Sequence, residues 1–141
     1  MRIFGSWQGI NIFFVLSCLR CYGKGKAYIY FGSQTFDTSP DKTFDGIVDS
    51  QFGTAVGTGD INNDNFDDII ISAPYHDNEK GKIFVYLGGS SIDDTAAIEF
   101  SANTLMRLGN AIGTGDLNND GYDDILFAAD RYDNFKGRVY M

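Results

Sequence analysis

The sequence predicts an all-β protein that forms a partial β-propeller, with about two and a half repeats of a four-stranded antiparallel blade. Three observations lead to this fold class. The composition favours turns over helices, short apolar runs alternate with the period of β-strands, and the whole pattern recurs after 56 residues. We therefore expect short strands joined by tight loops, built by repetition of one unit.

The composition of the chain is rich in turn-forming residues. The acidic residues are 17 Asp and only two Glu, beside ten Asn and 17 Gly. Asp, Asn and Gly favour turns, whereas the surfaces of helices favour Glu, Lys and Ala. No window shows an apolar stripe with the 3.6-residue period of a helix. The net charge of −8 argues against an extended phosphate-binding surface, so we predict no nucleic-acid partner.

Residues 1–21 contain the most apolar run of the chain, at 10–19, and this run has two interpretations. It is too short to span a bilayer core, which takes about 20 residues, so we predict no transmembrane segment in this chain. One interpretation is a signal peptide, with Arg2 upstream but without a clean small-x-small cleavage site. The other is a truncated blade strand, because residues 11–18 align with residues 67–74 one repeat later and apolar residues of the two runs coincide.

Residues 51–106 form one predicted blade. Its third strand is the clearest, because Ile83, Val85 and Leu87 alternate with aromatic side chains, as they do in a strand buried on both faces. Glycines mark the turns that separate the strands. The four predicted strands, in chain order, are residues 52–59, 68–73, 82–87 and 96–100.

The flanking segments repeat parts of the same unit. Residues 108–141 align with this blade without a gap, and residues 25–32 align with residues 81–88. We therefore predict a partial blade over residues 22–50 and a truncated blade over residues 107–141. Closed propellers have about four to eight blades. The chain is thus expected to be a fragment, or to complete its ring with other copies or with another chain.

Each complete copy carries a loop of nine residues rich in Asp and Asn, at 60–68 and 116–124. Oxygen side chains at loop positions 1, 3, 5 and 9 converge if the backbone turns tightly after position 5. That turn needs a positive φ near position 6, which Gly121 adopts freely and Asn65 tolerates. Position 7 is expected to contribute its backbone carbonyl. The predicted metal ligands are Asp60, Asn62, Asp64, the Phe66 carbonyl and Asp68 in the first loop, and Asp116, Asn118, Asp120, the Tyr122 carbonyl and Asp124 in the second.

Oxygen donors alone, three of them carboxylates, favour Ca²⁺ over the softer transition metals and over Mg²⁺, which requires a stricter octahedron. The EF-hand alternative fails, because its Glu at position 12 is replaced by Ile71 and Phe127. The metal-free alternative is a pair of Asx-rich turns, but two such loops in register favour the ion. The acidic residues at position 8, Asp67 and Asp123, are expected to face solvent or to cap the turn.

These motifs resemble the FG-GAP repeat family, which forms the blades of the integrin α-subunit propeller and of related bacterial surface proteins. Phe52-Gly53 resembles the FG element, residues 60–68 resemble the calcium-binding loop, and Ser72-Ala73-Pro74 resembles the GAP element. The resemblance is good over residues 52–141, partial over 25–32 and poor in the first 20 residues. In the second copy, Leu108 replaces the Phe of FG.

The resemblance implies a non-enzymatic segment of a secreted or cell-surface propeller, used for adhesion or protein binding and stabilised by structural Ca²⁺. The implied partners are a protein ligand, or further propeller blades from the same or another chain. Oxygen-ligand sites of low affinity fill at the millimolar calcium found outside cells, so we predict an extracellular location. The alternative is an accessory module of an extracellular hydrolase or phospholipase whose catalytic part lies outside this chain. The sequence has no G-x-S-x-G, P-loop or H-E-x-x-H motif, and we predict no catalytic residue.

Overall fold

The computed structural model describes residues 6–7, 10–11, 23–31 and 39–141. Two short strands near the N-terminus, β1 (Ser6–Trp7) and β2 (Ile10–Asn11), pair in antiparallel fashion. The two interpretations of residues 1–21, a signal peptide or a truncated blade strand, otherwise fall outside the described residues. They remain predictions.

The other described strands form three antiparallel sheets, and within each sheet the strands follow one another in chain order. This architecture confirms the predicted all-β fold of partial propeller blades. The first sheet contains β3 (Lys26–Ile29) and β4 (Lys42–Asp45). The second contains β5 (Val56–Gly59), β6 (Asp68–Ala73), β7 (Lys82–Tyr86) and β8 (Ile98–Ser101), and the third contains β9 (Leu108–Gly115), β10 (Asp124–Ala129) and β11 (Arg138–Tyr140).

The strands of the second sheet lie close to their predicted positions, except that β5 begins four residues late, at Val56. Phe52 instead forms an isolated bridge to Gly25 of the preceding sheet. Gly53, which follows it, has a φ of +86°, a conformation that interrupts an extended strand. The FG dipeptide therefore belongs to the junction between two sheets and not to the strand itself.

Two short elements that the sequence did not predict connect the second and third strands of their sheets. They are α1 (His76–Glu79) and α2 (Tyr132–Phe135), which lie 56 residues apart. Each contains an Asp-Asn pair with left-handed φ values, of 50° and 56° in α1 and of 47° and 57° in α2. Asp and Asn tolerate this region better than other side chains. These elements are tight turns, and no helix in the described part of the chain is long and apolar enough to cross a membrane.

The core consists of two apolar layers, one on each face of the second sheet. The alternation along β6 separates them, because Ile69 and Ile71 point into one layer and Ile70 points into the other. The first layer lies against the sheet of β3 and β4, where the rings of Phe44 and Tyr86 are 4.3 Å apart. The second lies against the sheet of β9 to β11. As a result every residue of β6 is buried.

Candidate metal centres

The first Asp/Asn loop, residues 60–68, joins β5 to β6 at one end of the second sheet. Asn65 has a φ of 70°, as its position 6 predicted, and Asn63 also lies in the left-handed region, at 58°. The second loop repeats this backbone, with Asn119 at 62° and Gly121 at 91°. The sequence pattern alone did not indicate the positive φ at position 4. Both loops therefore share one compact turn, which Asn and Gly make possible.

The predicted ligands of the first loop hold this turn through backbone N–H groups. The two carboxylate oxygens of Asp60 accept from the N–H of Asp64 at 3.0 Å and of Asn65 at 2.8 Å. Asn62 Oδ1 accepts from the Asp64 N–H at 3.0 Å, and Asp64 Oδ1 accepts from the Phe66 N–H at 2.9 Å. The side-chain oxygens at positions 1, 3 and 5 are thus all directed inwards by the turn.

The second loop has the same hydrogen bonds at the same positions. Asp116 accepts from the N–H of Asp120 at 3.1 Å and of Gly121 at 3.0 Å. Asn118 Oδ1 accepts from the Asp120 N–H at 2.9 Å, and Asp120 Oδ1 accepts from the Tyr122 N–H at 3.0 Å. These four hydrogen bonds recur at equivalent positions, so the side-chain oxygens at positions 1, 3 and 5 are arranged alike in the two loops.

The carboxylate at position 9 differs in burial between the loops. Asp68 is completely buried, and its oxygens accept from the N–H of Ile61 at 3.0 Å and of Gly88 at 2.8 Å. Burial raises the pKa of Asp68 above its ordinary value, and the charges of the other loop carboxylates, Asp64 and Asp60, add to the rise while the two N–H donors oppose it. Asp124 is half-buried and accepts from the Leu117 N–H at 3.0 Å.

The donors of each loop suit a hard cation in chemistry. They are oxygens only, and a carboxylate oxygen that accepts one N–H keeps a second lone pair for an ion. Burial, together with the like charges of Asp64 and Asp60, raises the pKa of Asp68, and a cation in the loop would relieve that repulsion. Among the described residues, however, no group of three or more acidic, His or Cys side chains lies close enough to hold an ion as it stands. The ligand assignments remain predictions.

Asp123, at position 8 of the second loop, connects the two loops. Its Oδ2 accepts from the Asp60 N–H at 3.0 Å, and its own N–H donates to the Asp60 carbonyl at 2.9 Å. The prediction that Asp123 faces solvent or caps its own turn is therefore wrong, because the neighbouring sheet lies against it. The sequence signal for this contact was the repeated Asp-Asp pair. Only the second Asp of each pair is needed inside its own loop, so the first is free to bind a neighbouring segment.

Gly59 makes the close approach of Asp123 possible. A Cβ on Gly59 would lie 2.6 Å from Asp123 Oδ2 and 3.1 Å from its Cβ, so any side chain there would push Asp123 away. The equivalent residue of the first loop, Asp67, is half-buried. Burial raises the pKa of Asp67, and the negative charges of Asp123 and Asp60 raise it further. The seam between the two loops is thus densely acidic.

The comparisons agree with the repeat that the structure shows. The FG-GAP repeat family model matches residues 52–86 and 108–140. Integrin alpha-4 of Xenopus laevis is 36% identical over 98 residues, which cover 65% of this chain and 10% of that protein. Integrin alpha-8 of Mus musculus is 33% identical over 111 residues, covering 67% and 10%. Integrin alpha-PS3 of Drosophila melanogaster is 30% identical over 96 residues, covering 64% and 9%.

The chain spans about a tenth of the length of these relatives. Both matched segments begin at the residue that forms a bridge between sheets, Phe52 or Leu108, and each contains one Asp/Asn loop. The chain is therefore an FG-GAP repeat protein with integrin α-like blades.

Proposed function

We propose that this chain is a segment of a non-enzymatic extracellular propeller, at the cell surface or secreted, which serves adhesion or protein binding and whose loops bind structural Ca²⁺. The observation that supports the metal assignment is a set of four hydrogen bonds, accepted by carboxylate and amide oxygens, that recurs at equivalent positions of the two loops. The adhesion role is supported by the integrin α relatives, and it is a proposal because the chain covers so little of their length.

In the first loop the ion would be held by Asp60, Asn62, Asp64, Asp68 and the carbonyl of Phe66. When bound, Ca²⁺ would supply positive charge that neutralises the crowded carboxylates. The side chains themselves close the turn between β5 and β6 by accepting backbone N–H groups. Binding then adds to the free energy of folding, because the unfolded chain has no such site.

The proposed partners are a protein ligand and further propeller blades, from the same or another chain. The exposure of apolar side chains on the third sheet supports the second partner, a further propeller blade. Val139 of β11 is 63% exposed, whereas Ile83, its equivalent one repeat earlier, is completely buried against the third sheet. The relatives reported above are integrin α subunits, so the alternative of an accessory module of a hydrolase or phospholipase gains no support.

The test is a calorimetric Ca²⁺ titration of the full chain, combined with thermal melting in Ca²⁺ and in chelator. We expect two binding events for the wild type, one each for Asp64→Ala and Asp120→Ala, and none for the double variant. At a free Ca²⁺ concentration of 100 times Kd, each site should add about 2.7 kcal/mol to the stability.

The matched control is Asp133→Ala, which removes one exposed carboxylate of α2 outside both loops. This variant should bind Ca²⁺ as the wild type does. A wild-type chain that binds no Ca²⁺ and melts at the same temperature in chelator would contradict the metal assignment.

A further inference from the structure

The seam between the second and third sheets contains a reciprocal contact between single residues of the two loops. Asp60 donates its N–H to the Asp123 carboxylate and accepts the Asp123 N–H at its carbonyl, at 3.0 and 2.9 Å. These residues are 63 positions apart in the chain, so the contact exists only when the two blades are packed together. It fixes the backbone of each loop to the backbone of the other.

Both partners occupy sensitive positions in their loops. Asp60 is the first residue of its loop, and both of its carboxylate oxygens hold the turn. Asp123 lies between Tyr122 and Asp124, which are the last two predicted donors of the second loop. A shift of the Asp123 backbone would therefore move predicted metal ligands of the second loop. A shift of the Asp60 backbone would move the first predicted ligand of the first loop.

The surroundings leave little room for the contact to rearrange. Gly59 lies directly against the Asp123 side chain, where a Cβ would meet its carboxylate oxygen at 2.6 Å. Another hydrogen bond crosses the same seam, from Thr114 Oγ1 to the Thr58 carbonyl at 2.5 Å. It lies between β5 and β9 and does not touch either loop, so it provides a control for general packing of the seam.

We propose that Asp123 is a positioning residue that couples the two loops, so that Ca²⁺ binding in either loop raises the affinity of the other. This inference rests on the proposed Ca²⁺ binding of both loops. An ion in the second loop orders residues 122–124, and Asp123 then holds the Asp60 backbone in place. The first loop consequently loses less conformational freedom when it binds its own ion. The effect is reciprocal, as linkage between two binding equilibria requires.

The experiment compares Ca²⁺ titrations of the full chain with one or both loops intact. Asp120→Ala reports the binding constant of the first loop alone, and Asp64→Ala reports that of the second. If the loops are coupled, the product of the two wild-type association constants exceeds the product of these single-loop values, and we expect an excess of about tenfold. In the Asp123→Ala background, the same comparison should give no excess.

Three further variants separate the contact from charge and from folding. Asp123→Asn keeps an acceptor for the Asp60 N–H and should retain most of the coupling, which excludes an effect of charge alone. Gly59→Ala displaces Asp123 without changing any residue of either loop, and it should abolish the coupling even if Asp123→Ala fails to fold. Thr114→Val removes a hydrogen bond of the seam that touches neither loop, and it should leave the coupling at about tenfold.

The outcomes distinguish this inference from the proposed function. A wild-type isotherm that equals the sum of the two single-loop isotherms would overturn the coupling and leave Ca²⁺ binding intact. Coupling that persists in both Asp123→Ala and Gly59→Ala would overturn the role of Asp123. A wild-type chain that binds no Ca²⁺ would overturn the proposed metal binding, and this inference with it.

Discussion

The second and third sheets are built from the same pattern but differ in burial. β6 is buried at every residue, whereas its equivalent β10 is buried only at Ala129 and half-exposed elsewhere. The second sheet has a neighbour on each face, and the third sheet has a described neighbour on only one. The comparison teaches that the repeat sets which side chains a blade presents, while the adjacent blades decide how much stability each side chain contributes.

The largest test of this comparison is removal of a central apolar side chain. Ile70 is completely buried between the second and third sheets, so Ile70→Ala should destabilise the chain by about 2–5 kcal/mol. Its equivalent Leu126 is half-exposed, and Leu126→Ala should cost about 1 kcal/mol, because less apolar surface leaves water when the chain folds. Urea unfolding followed by circular dichroism in chelator measures both. Equal losses would contradict the difference between the sheets.

The next test concerns the carboxylate at position 9, again in chelator so that no ion contributes. Asp68→Ala leaves the N–H groups of Ile61 and Gly88 without their acceptor in a buried site, which should cost about 2 kcal/mol. Asp124→Ala frees only the Leu117 N–H, at a half-exposed position, and should cost about 0.5 kcal/mol. The comparison is made by urea unfolding. A larger loss for Asp124→Ala would reverse the proposed order.

A smaller change in stability is expected from substitutions of Gly57 and Gly113, which lie in the first strands of the second and third sheets. A Cβ on Gly57 would lie 2.8 Å from Ile112 Cγ2, so Gly57→Ala should destabilise the chain by about 1–2 kcal/mol through overpacking at the seam. At Gly113, the equivalent position, the nearest atom is 4.0 Å away. Gly113→Ala should therefore be neutral, or stabilising by about 0.5 kcal/mol through reduced freedom of the unfolded chain. Thermal melting of the two variants side by side would detect the difference in sign.

The smallest effect is a dependence on alkaline pH from the buried face of the second sheet. Burial, helped by the charges of Glu99 and Asp94, raises the pKa of Tyr86 from 10.0 to about 12. The raised pKa means that the folded state favours the neutral phenol of Tyr86. Its contribution to the free energy of unfolding is therefore complete below pH 10 and is lost as the pH rises from 10 towards 12. Tyr86→Phe should therefore lose less stability than the wild type between pH 9 and pH 11. Identical urea midpoints for both proteins across this range would contradict the burial of Tyr86.

Much of the candidate site was predictable because it depends on local chemistry. The loop boundaries, the left-handed residue at position 6 and the inward side chains at positions 1, 3 and 5 all follow from residues within nine positions of one another. Asn63 and Asn119 were missed at position 4, although Asn is among the residues that tolerate a positive φ. The turns at Asp77-Asn78 and Asp133-Asn134 were also missed, because a short turn has no hydrophobic periodicity that would reveal it in the sequence.

The sequence by itself determined the blade as a unit. Strand alternation, glycine at the turns and the Asp/Asn loops act over a few residues, through hydrogen bonds and allowed φ values that a short segment already possesses. The period of 56 residues then predicted that the loop and the strands on either side of it recur in the second copy.

Only the tertiary structure decided which residues pack against each copy of the repeat. Asp67 and Asp123 occupy the same position in equivalent loops, yet the contact of Asp123 with Asp60 arises because the third sheet lies against the second. Gly57 and Gly113 likewise differ because Ile112 and Thr114 lie against Gly57 across the seam. The physical reason is that burial and close approach depend on atoms brought from distant parts of the chain, and a repeated pattern does not record which of its copies has a neighbour.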